Sequence, residues 1–192
     1  MRQIKELKYL SDEELMRLIV KGNRNAFSGI YDRYHKRMLN FFFKMLYRDK
    51  EKARDFSHDL FMKIIEKPEL FKSDKKFSTW IFVVASNMCK NEYRSRAVRA
   101  NGSLHPGLSI NEAEHENIHS QIDLAKFKTR LNNEIDELNP QQKNVFVMRF
   151  QQEMPIKEIA EIMDCSEGTI KSRIFYSLKK MAEKLKEFNP NG

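Results

Sequence analysis

The chain has 192 residues, 41% of them apolar, which is enough for one large domain or two small ones and too much for wholesale disorder. Its formal charge of +8 is unevenly placed: residues 1–99 hold 23 Lys/Arg against 13 Asp/Glu, residues 100–123 hold four acids and no Lys or Arg, and residues 124–192 hold 12 against 10. No apolar run approaches the roughly 20 residues that span a bilayer, the N-terminal MRQIKELKYLSDEEL lacks the apolar stretch of a secretory signal, and Cys89 and Cys165 have no Cys or His at ligand spacing.

These features argue against membrane insertion, secretion, a disulfide framework and a metal site, and for two reduced thiols in a cytoplasmic protein. The basic first half is the footprint expected of phosphate binding, although acidic proteins or lipids could answer to it too.

Hydrophobic spacing predicts an all-α chain. Ser11 followed by Glu14 is a capping-box pattern that opens a helix through Leu15, Leu18 and Ile19 and stops at Gly22. From Ala26, the residues Phe27, Ile30, Tyr31, Tyr34, Met38, Phe41, Phe42 and Met45 recur at steps of three and four, as in one long amphipathic helix. A third helix runs from about Lys50 to Glu66 and ends before Pro68, and a fourth from about Ser78 to Arg99. Residues 100–117 (ANGSLHPGLSINEAEHEN) lose the pattern and read as a linker. Helical spacing resumes near Ile118 with Ile122, Leu124, Phe127, Leu131, Ile135 and Leu138. Asn139-Pro140 then resembles an N-cap with Pro at the first helical position, opening a helix through Val145, Phe146 and Met148.

The segment Pro155 to Lys186 has the spacing of a helix-turn-helix. Ile156, Ile159, Ile162 and Met163 line one side of the first helix, and Ala160 is small where the helices would cross. Asp164 stands in the turn, at a position where the backbone goes left-handed, and Ser166 is a natural N-cap for the second helix. There, Ile170, Ile174, Leu178, Met181 and Leu185 are expected to face the core. The opposite face carries Gly168, Thr169, Ser172, Tyr176 and Lys179, flanked by Lys171, Arg173 and Phe175. Donors, an aromatic edge and a glycine suit a helix laid in a DNA major groove. A plain helical hairpin with a solvated polar face fits the same spacing.

In the fourth helix, Trp80, Val83, Asn87, Asn91 and Arg94 share one stripe, bordered by Lys90 and preceded by Lys75, Lys76 and Phe77. An aromatic ring can take over stacking from an opened base pair, Asn can read a base edge, and Lys or Arg can hold phosphates. Phe77, Ile81, Val84 and Met88 read equally well as core residues.

The order AFSGIYDRYHKRMLNF, ARDFSHDLFMKIIEK, KFSTWIFVVASNMCKNEYRSR resembles the second domain of bacterial sigma factors. The segment LNPQQKNVFVMRF followed by IKEIAEIMDCSEGTIKSRIFYSLKKM resembles their fourth domain. The two in tandem, with only a linker between, are similar to the extracytoplasmic-function group of the sigma-70 family.

The resemblance implies two helical domains, at residues 1–99 and 124–192, joined by an acidic linker at 100–123. It implies that Lys76, Phe77, Trp80, Asn87, Lys90, Asn91 and Arg94 melt and hold the minus-ten element, with a flipped base near Phe77, Trp80 and Asn87. The last helix would read the minus-thirty-five element, while Asp55, Phe56, His58, Asp59 and Met62 dock on the largest polymerase subunit. His58 stands where the family often has Gln or Glu. For the linker two readings stay open, a soluble tether or a strand that enters the polymerase RNA channel in place of transcript.

Core RNA polymerase, promoter DNA and an anti-sigma factor are the implied partners. The implied place is the cytoplasm, at the nucleoid or held at the inner membrane by that inhibitor. No cofactor, metal or catalysis is expected. The competing readings are a stand-alone helix-turn-helix regulator, which leaves the Trp80-to-Arg94 stripe unexplained, and a helical hydrolase or nuclease, for which no metal spacing or activated nucleophile is found.

Overall fold

A computed structural model describes residues 7–72, 75–101 and 119–188, and all regular structure among the described residues is helical. The helices are α1 (Asp12–Val20), α2 (Arg24–Met45), α3 (Lys50–Glu66), α4 (Phe77–Asn101), α5 (His119–Asp136), α6 (Pro140–Phe146), α7 (Ile156–Met163) and α8 (Glu167–Lys184).

Local chemistry places most boundaries. The Ser11 hydroxyl accepts from the Glu14 amide at 3.2 Å while the Glu14 carboxylate accepts from the Ser11 amide at 2.7 Å, a complete capping box. Gly22 takes φ +85°, a conformation that L side chains resist, and turns the chain into α2. Asn23, Asp49, Asn139 and Ser166 each satisfy an orphan amide in the first turn of α2, α3, α6 and α8. Asp164 adopts the left-handed conformation expected of the turn, at φ 49° and ψ 55°.

The apolar face of α2 forms the spine of the N-terminal half. Ala26, Ile30, Tyr34, Met38, Phe41, Phe42 and Met45 are buried there, whereas Tyr31 is 42% exposed. Helices α1 and α3 pack against this spine, and Phe41, Phe42 and Phe82 meet edge to face.

The C-terminal half does not stand apart. Helix α7 packs on α4, and Val145, Val147, Met148, Met154, Ile159, Ile162 and Ile170 join the same apolar cluster as the N-terminal spine. Residues 143 to 148 are all buried, because this segment lies between the N-terminal half and the helix-turn-helix and has no solvent side. The helix expected to run through Met148 closes its α-helical part at Phe146 and continues as a π turn over Val147–Gln151.

One expectation about core facing is corrected. Leu178 is 44% exposed, and Ser177 occupies the core in its place. At about 100° per residue, Ser177 lies about 20° from Ile170 around the helix and Leu178 about 80°. Leu124 in α5 is likewise exposed; Ile135 and Leu138 make the buried contacts with Phe146 and Met181. Residues 102–118, which hold most of the acidic linker and its two readings, lie outside the described residues. Helix α4 extends to Asn101 and α5 begins at His119, so the last five residues of that tract are helical.

Candidate nucleic-acid and protein interfaces

The outer face of α8 forms a surface with few internal ties. Gly168, Lys171, Ser172, Phe175, Tyr176 and Lys179 are exposed, and Thr169 and Arg173 are half-buried. Phe175 and Tyr176 are 62% and 59% exposed and meet each other edge to face at 5.4 Å, which holds two aromatic rings in water. Arg173 is anchored instead: one guanidinium nitrogen donates to Gln141 Oε1 at 2.8 Å, tying α8 to α6. A Cβ placed on Gly168 would meet only Ser166 Oγ at 3.7 Å, an ordinary contact, and its φ is not positive. The fold therefore does not need glycine there, and the bare backbone is a property of the surface.

The stripe on α4 is a second open face. Lys76, Asn87, Lys90, Asn91 and Arg94 are exposed, and Lys75 extends the basic edge before the helix. Trp80 is half-buried, its ring propped edge-on by Phe71 at 5.5 Å and tilted on Phe77 at 5.6 Å. Phe77 is a correction to the expected DNA contacts: it is fully buried, packed edge to face against Tyr34 at 5.2 Å and Phe71 at 5.4 Å. Its ring offers no free face to a base, and its part is to support Trp80 from below. The start of this helix is held by a residue that local spacing does not reveal, since the Phe77 amide donates to Glu13 Oε1 at 2.8 Å. Glu13 lies 64 residues earlier.

A third face lies on α3. Asp55, His58 and Asp59 are exposed and Met62 is half-buried beside them, while Phe56 turns inward and packs edge to face on Phe42 at 5.6 Å. Phe56 is thus mainly a core residue. Ile65, three residues after Met62 and 46% exposed, extends the apolar part of this face, and Leu70, just beyond the helix, is 55% exposed.

The two halves also meet through charge. The Arg48 guanidinium pairs with Asp136 and donates to the Asn132 carbonyl at 2.6 Å. Lys143, 1% exposed, donates to Asp136 Oδ1 at 2.8 Å, and its ammonium sits 4.0 Å from the centre of the Tyr47 ring. The Arg96 guanidinium lies 4.7 Å from the same ring. Burial pulls the Lys143 ammonium pKa down, against the opposing pull of Asp136. Nearby, Arg37 donates from Nε to Gln152 Oε1 at 3.1 Å.

Cys89 is buried and its thiol pKa is pushed up by that burial; Cys165 is half-buried and also unpaired, so both thiols are free. Among the described residues no group of His, Cys, Asp or Glu is arranged to hold a metal, and no helix is long and apolar enough to cross a membrane.

Residues 30–99 match the family model "Sigma-70 region 2" and residues 128–181 match "Sigma-70, region 4". The chain is 25% identical over 188 residues to the ECF RNA polymerase sigma-E factor of Haemophilus influenzae, covering 92% of this chain and 96% of that one. It is 24% identical over 180 residues to the ECF RNA polymerase sigma factor SigW of Bacillus subtilis, covering 88% and 94%. Among solved structures, the complex of the sigma factor RpoE with the anti-sigma factor NepR from Bartonella quintana matches with a TM-score of 0.65, 20% identity, and coverage of 83% and 96%. CnrH bound to the cytosolic domain of CnrY matches with a TM-score of 0.66, 19% identity, and coverage of 92% and 97%. At those identities the structures speak for the fold.

Proposed function

The chain belongs to the sigma-70 family, in its extracytoplasmic-function group, and directs RNA polymerase to promoters; from that premise we propose how its two open faces divide the work. The face of α8, with Gly168, Thr169, Lys171, Ser172, Arg173, Phe175, Tyr176 and Lys179, reads the duplex of the minus-thirty-five element. Its hydroxyls and lysines donate to base edges and phosphates, and the aromatic pair supplies apolar contact. Arg173, tethered to Gln141, serves mainly to set the angle of α8.

The stripe of Lys76, Trp80, Asn87, Lys90, Asn91 and Arg94 captures the minus-ten strand. Trp80 presents a ring already propped by Phe71 and Phe77, so stacking on an unpaired base costs little side-chain ordering. The observation that supports this reading is the tandem match of both regions together with the two open faces on α4 and α8.

Asp55, His58, Asp59 and Met62 dock on core polymerase, helped by Ile65 and Leu70; exposed carboxylates steer the encounter and a few apolar side chains anchor it. Domain limits follow as 1–99 and 124–192, with the acidic tract as tether or as a strand entering the RNA channel. The polymerase supplies the chemistry and this chain none. An anti-sigma factor is a partner, as in the complexes of the two structural relatives. The chain acts in the cytoplasm at the nucleoid, and at the inner membrane when such an inhibitor holds it there. A stand-alone helix-turn-helix regulator is not favoured, because it has no use for the N-terminal match.

Run-off transcription on genomic fragments, with core polymerase and with or without this chain, tests the proposal. New start sites that depend on the chain are expected. Identical transcripts in both reactions would refute it.

A further inference from the structure

We propose that Asp12 and Glu13, in the first turn of α1, are positioning residues for strand capture: together they hold Phe77 from two directions and so fix the ring that Trp80 offers to an unpaired base. The inference rests on the reading of the α4 stripe given above. Both residues lie ahead of the segment 30–99 that the region 2 family model matches.

Helix α4 cannot cap itself. The residue before Phe77 is Lys76, whose side chain has donors and no acceptor, so it cannot serve an orphan amide of the first turn. Glu13 supplies the missing acceptor, taking the Phe77 amide at 2.8 Å. A carboxylate there also suits the positive pole of the helix. The two lysines before the helix, Lys75 and Lys76, stay exposed for phosphates.

The second hold runs through a side chain. Asp12 accepts from the Tyr34 hydroxyl, and the Tyr34 ring packs edge to face on the Phe77 ring at 5.2 Å. Burial pushes the Tyr34 hydroxyl pKa up, so it stays a donor. Phe77 is therefore held at its amide by one carboxylate and at its ring by the neighbouring one, and its ring lies 5.6 Å from that of Trp80. Helix α1 is itself anchored to α2. Arg33 donates to Asp12 Oδ1 at 2.6 Å and to the carbonyls of Lys8 and Leu10 at 3.0 and 2.8 Å. A Cβ on Gly29 would lie 3.0 Å from Leu15 Cδ1, so the bare backbone there lets α1 lie close. A ring fixed in this way loses little freedom when a base stacks on it.

Trp80 is the only tryptophan of the chain, so the fluorescence of the full chain reads the order of that one ring. Glu13→Asp keeps the charge but falls one methylene short of Phe77, and Tyr34→Phe keeps the ring while cutting its link to Asp12. We expect each variant to shift Trp80 emission to the red and to lower its anisotropy. Holoenzyme carrying each variant should bind the single-stranded minus-ten oligonucleotide of a promoter found by run-off transcription about two- to ten-fold more weakly, the range spanned by ordering one side chain on binding. Its affinity for a duplex with the minus-thirty-five element alone should stay at the wild-type value. Glu13→Gln keeps both reach and an acceptor oxygen and should recover most of the loss. Wild-type single-strand affinity in both Glu13→Asp and Tyr34→Phe would overturn the proposal, as would equal losses on the two DNA elements, which would mark a general weakening of the fold. The function proposed above fails differently, by the wild-type chain starting no new transcripts.

Discussion

The carboxylate of Glu13 in α1 accepts a 2.8 Å hydrogen bond from the Phe77 amide at the start of α4. A first-turn amide would otherwise be an orphan donor, and here the acceptor comes from a different helix. The contact therefore fixes where α4 begins and, through Phe77, the ring that supports Trp80.

Replacing Glu13 with Ala should cost about 1 kcal/mol, as loss of a helix cap does. In a protein of this size that lowers the melting temperature by roughly 2–4 °C. Glu13→Gln retains an acceptor oxygen and should lose less than half as much. Thermal unfolding of both variants measures the difference, and equal losses would show that charge, not hydrogen bonding, is what the α4 terminus needs.

Gly168→Ala separates stability from recognition. The added Cβ has room beside Ser166 Oγ, and alanine is the better helix former, so the variant should gain up to about 0.5–1 kcal/mol. On the reading of α8 as the duplex-facing helix, the same methyl holds the backbone away from DNA, and transcription from promoters with a strong upstream element should fall. Melting and run-off transcription are the paired measurements.

Asp164 occupies a left-handed turn without being glycine. Asp164→Gly should be neutral or stabilising by up to about 1 kcal/mol, whereas Asp164→Val, with a β-branched side chain at φ 49°, should destabilise by at least 1–2 kcal/mol. Chemical denaturation of the full chain orders the three proteins.

The capping box at α1 carries a pH dependence. Hydrogen bonds from the Ser11 amide and hydroxyl hold the Glu14 carboxyl below its ordinary 4.5. Because the folded value is depressed, its stabilisation is present above 4.5 and is lost as pH falls through the lowered value. Amide exchange at Ser11, corrected for its intrinsic pH dependence, should speed up across that window in the wild-type protein. In Glu14→Gln the acceleration should be absent.

Trp80→Ala and Tyr176→Ala should fail in different ways. Loss of the Trp80 ring should impair promoter opening, read by permanganate reactivity of unpaired thymines, by roughly five-fold to 150-fold on the basis of about 1–3 kcal/mol per stacked base. Tyr176→Ala, and Ser172→Ala to a smaller degree, should change the preference among upstream elements and leave opening on a strong promoter intact. Identical defects from all three would remove the division of labour.

Helix limits were legible because they depend on neighbours in the chain: capping side chains, Pro68, Pro140, Gly22 and apolar residues spaced three and four apart fall within one or two turns of the boundary they set. The left-handed Asp164 and the exposed stripe of Asn87, Asn91 and Arg94 were legible for the same reason. Burial at a helix edge was not. Whether Leu178 or Ser177 enters the core depends on where α6 lies against α8, and whether Phe77 reaches DNA depends on Tyr34 and Phe71 closing over it.

The docking of one half on the other was also beyond the reach of periodicity. Arg48 and Asp136 are 88 residues apart, and each alone reads as an ordinary surface charge. Local propensity carries no information about which distant charges a fold will share, because that pairing is set by the packing of whole helices.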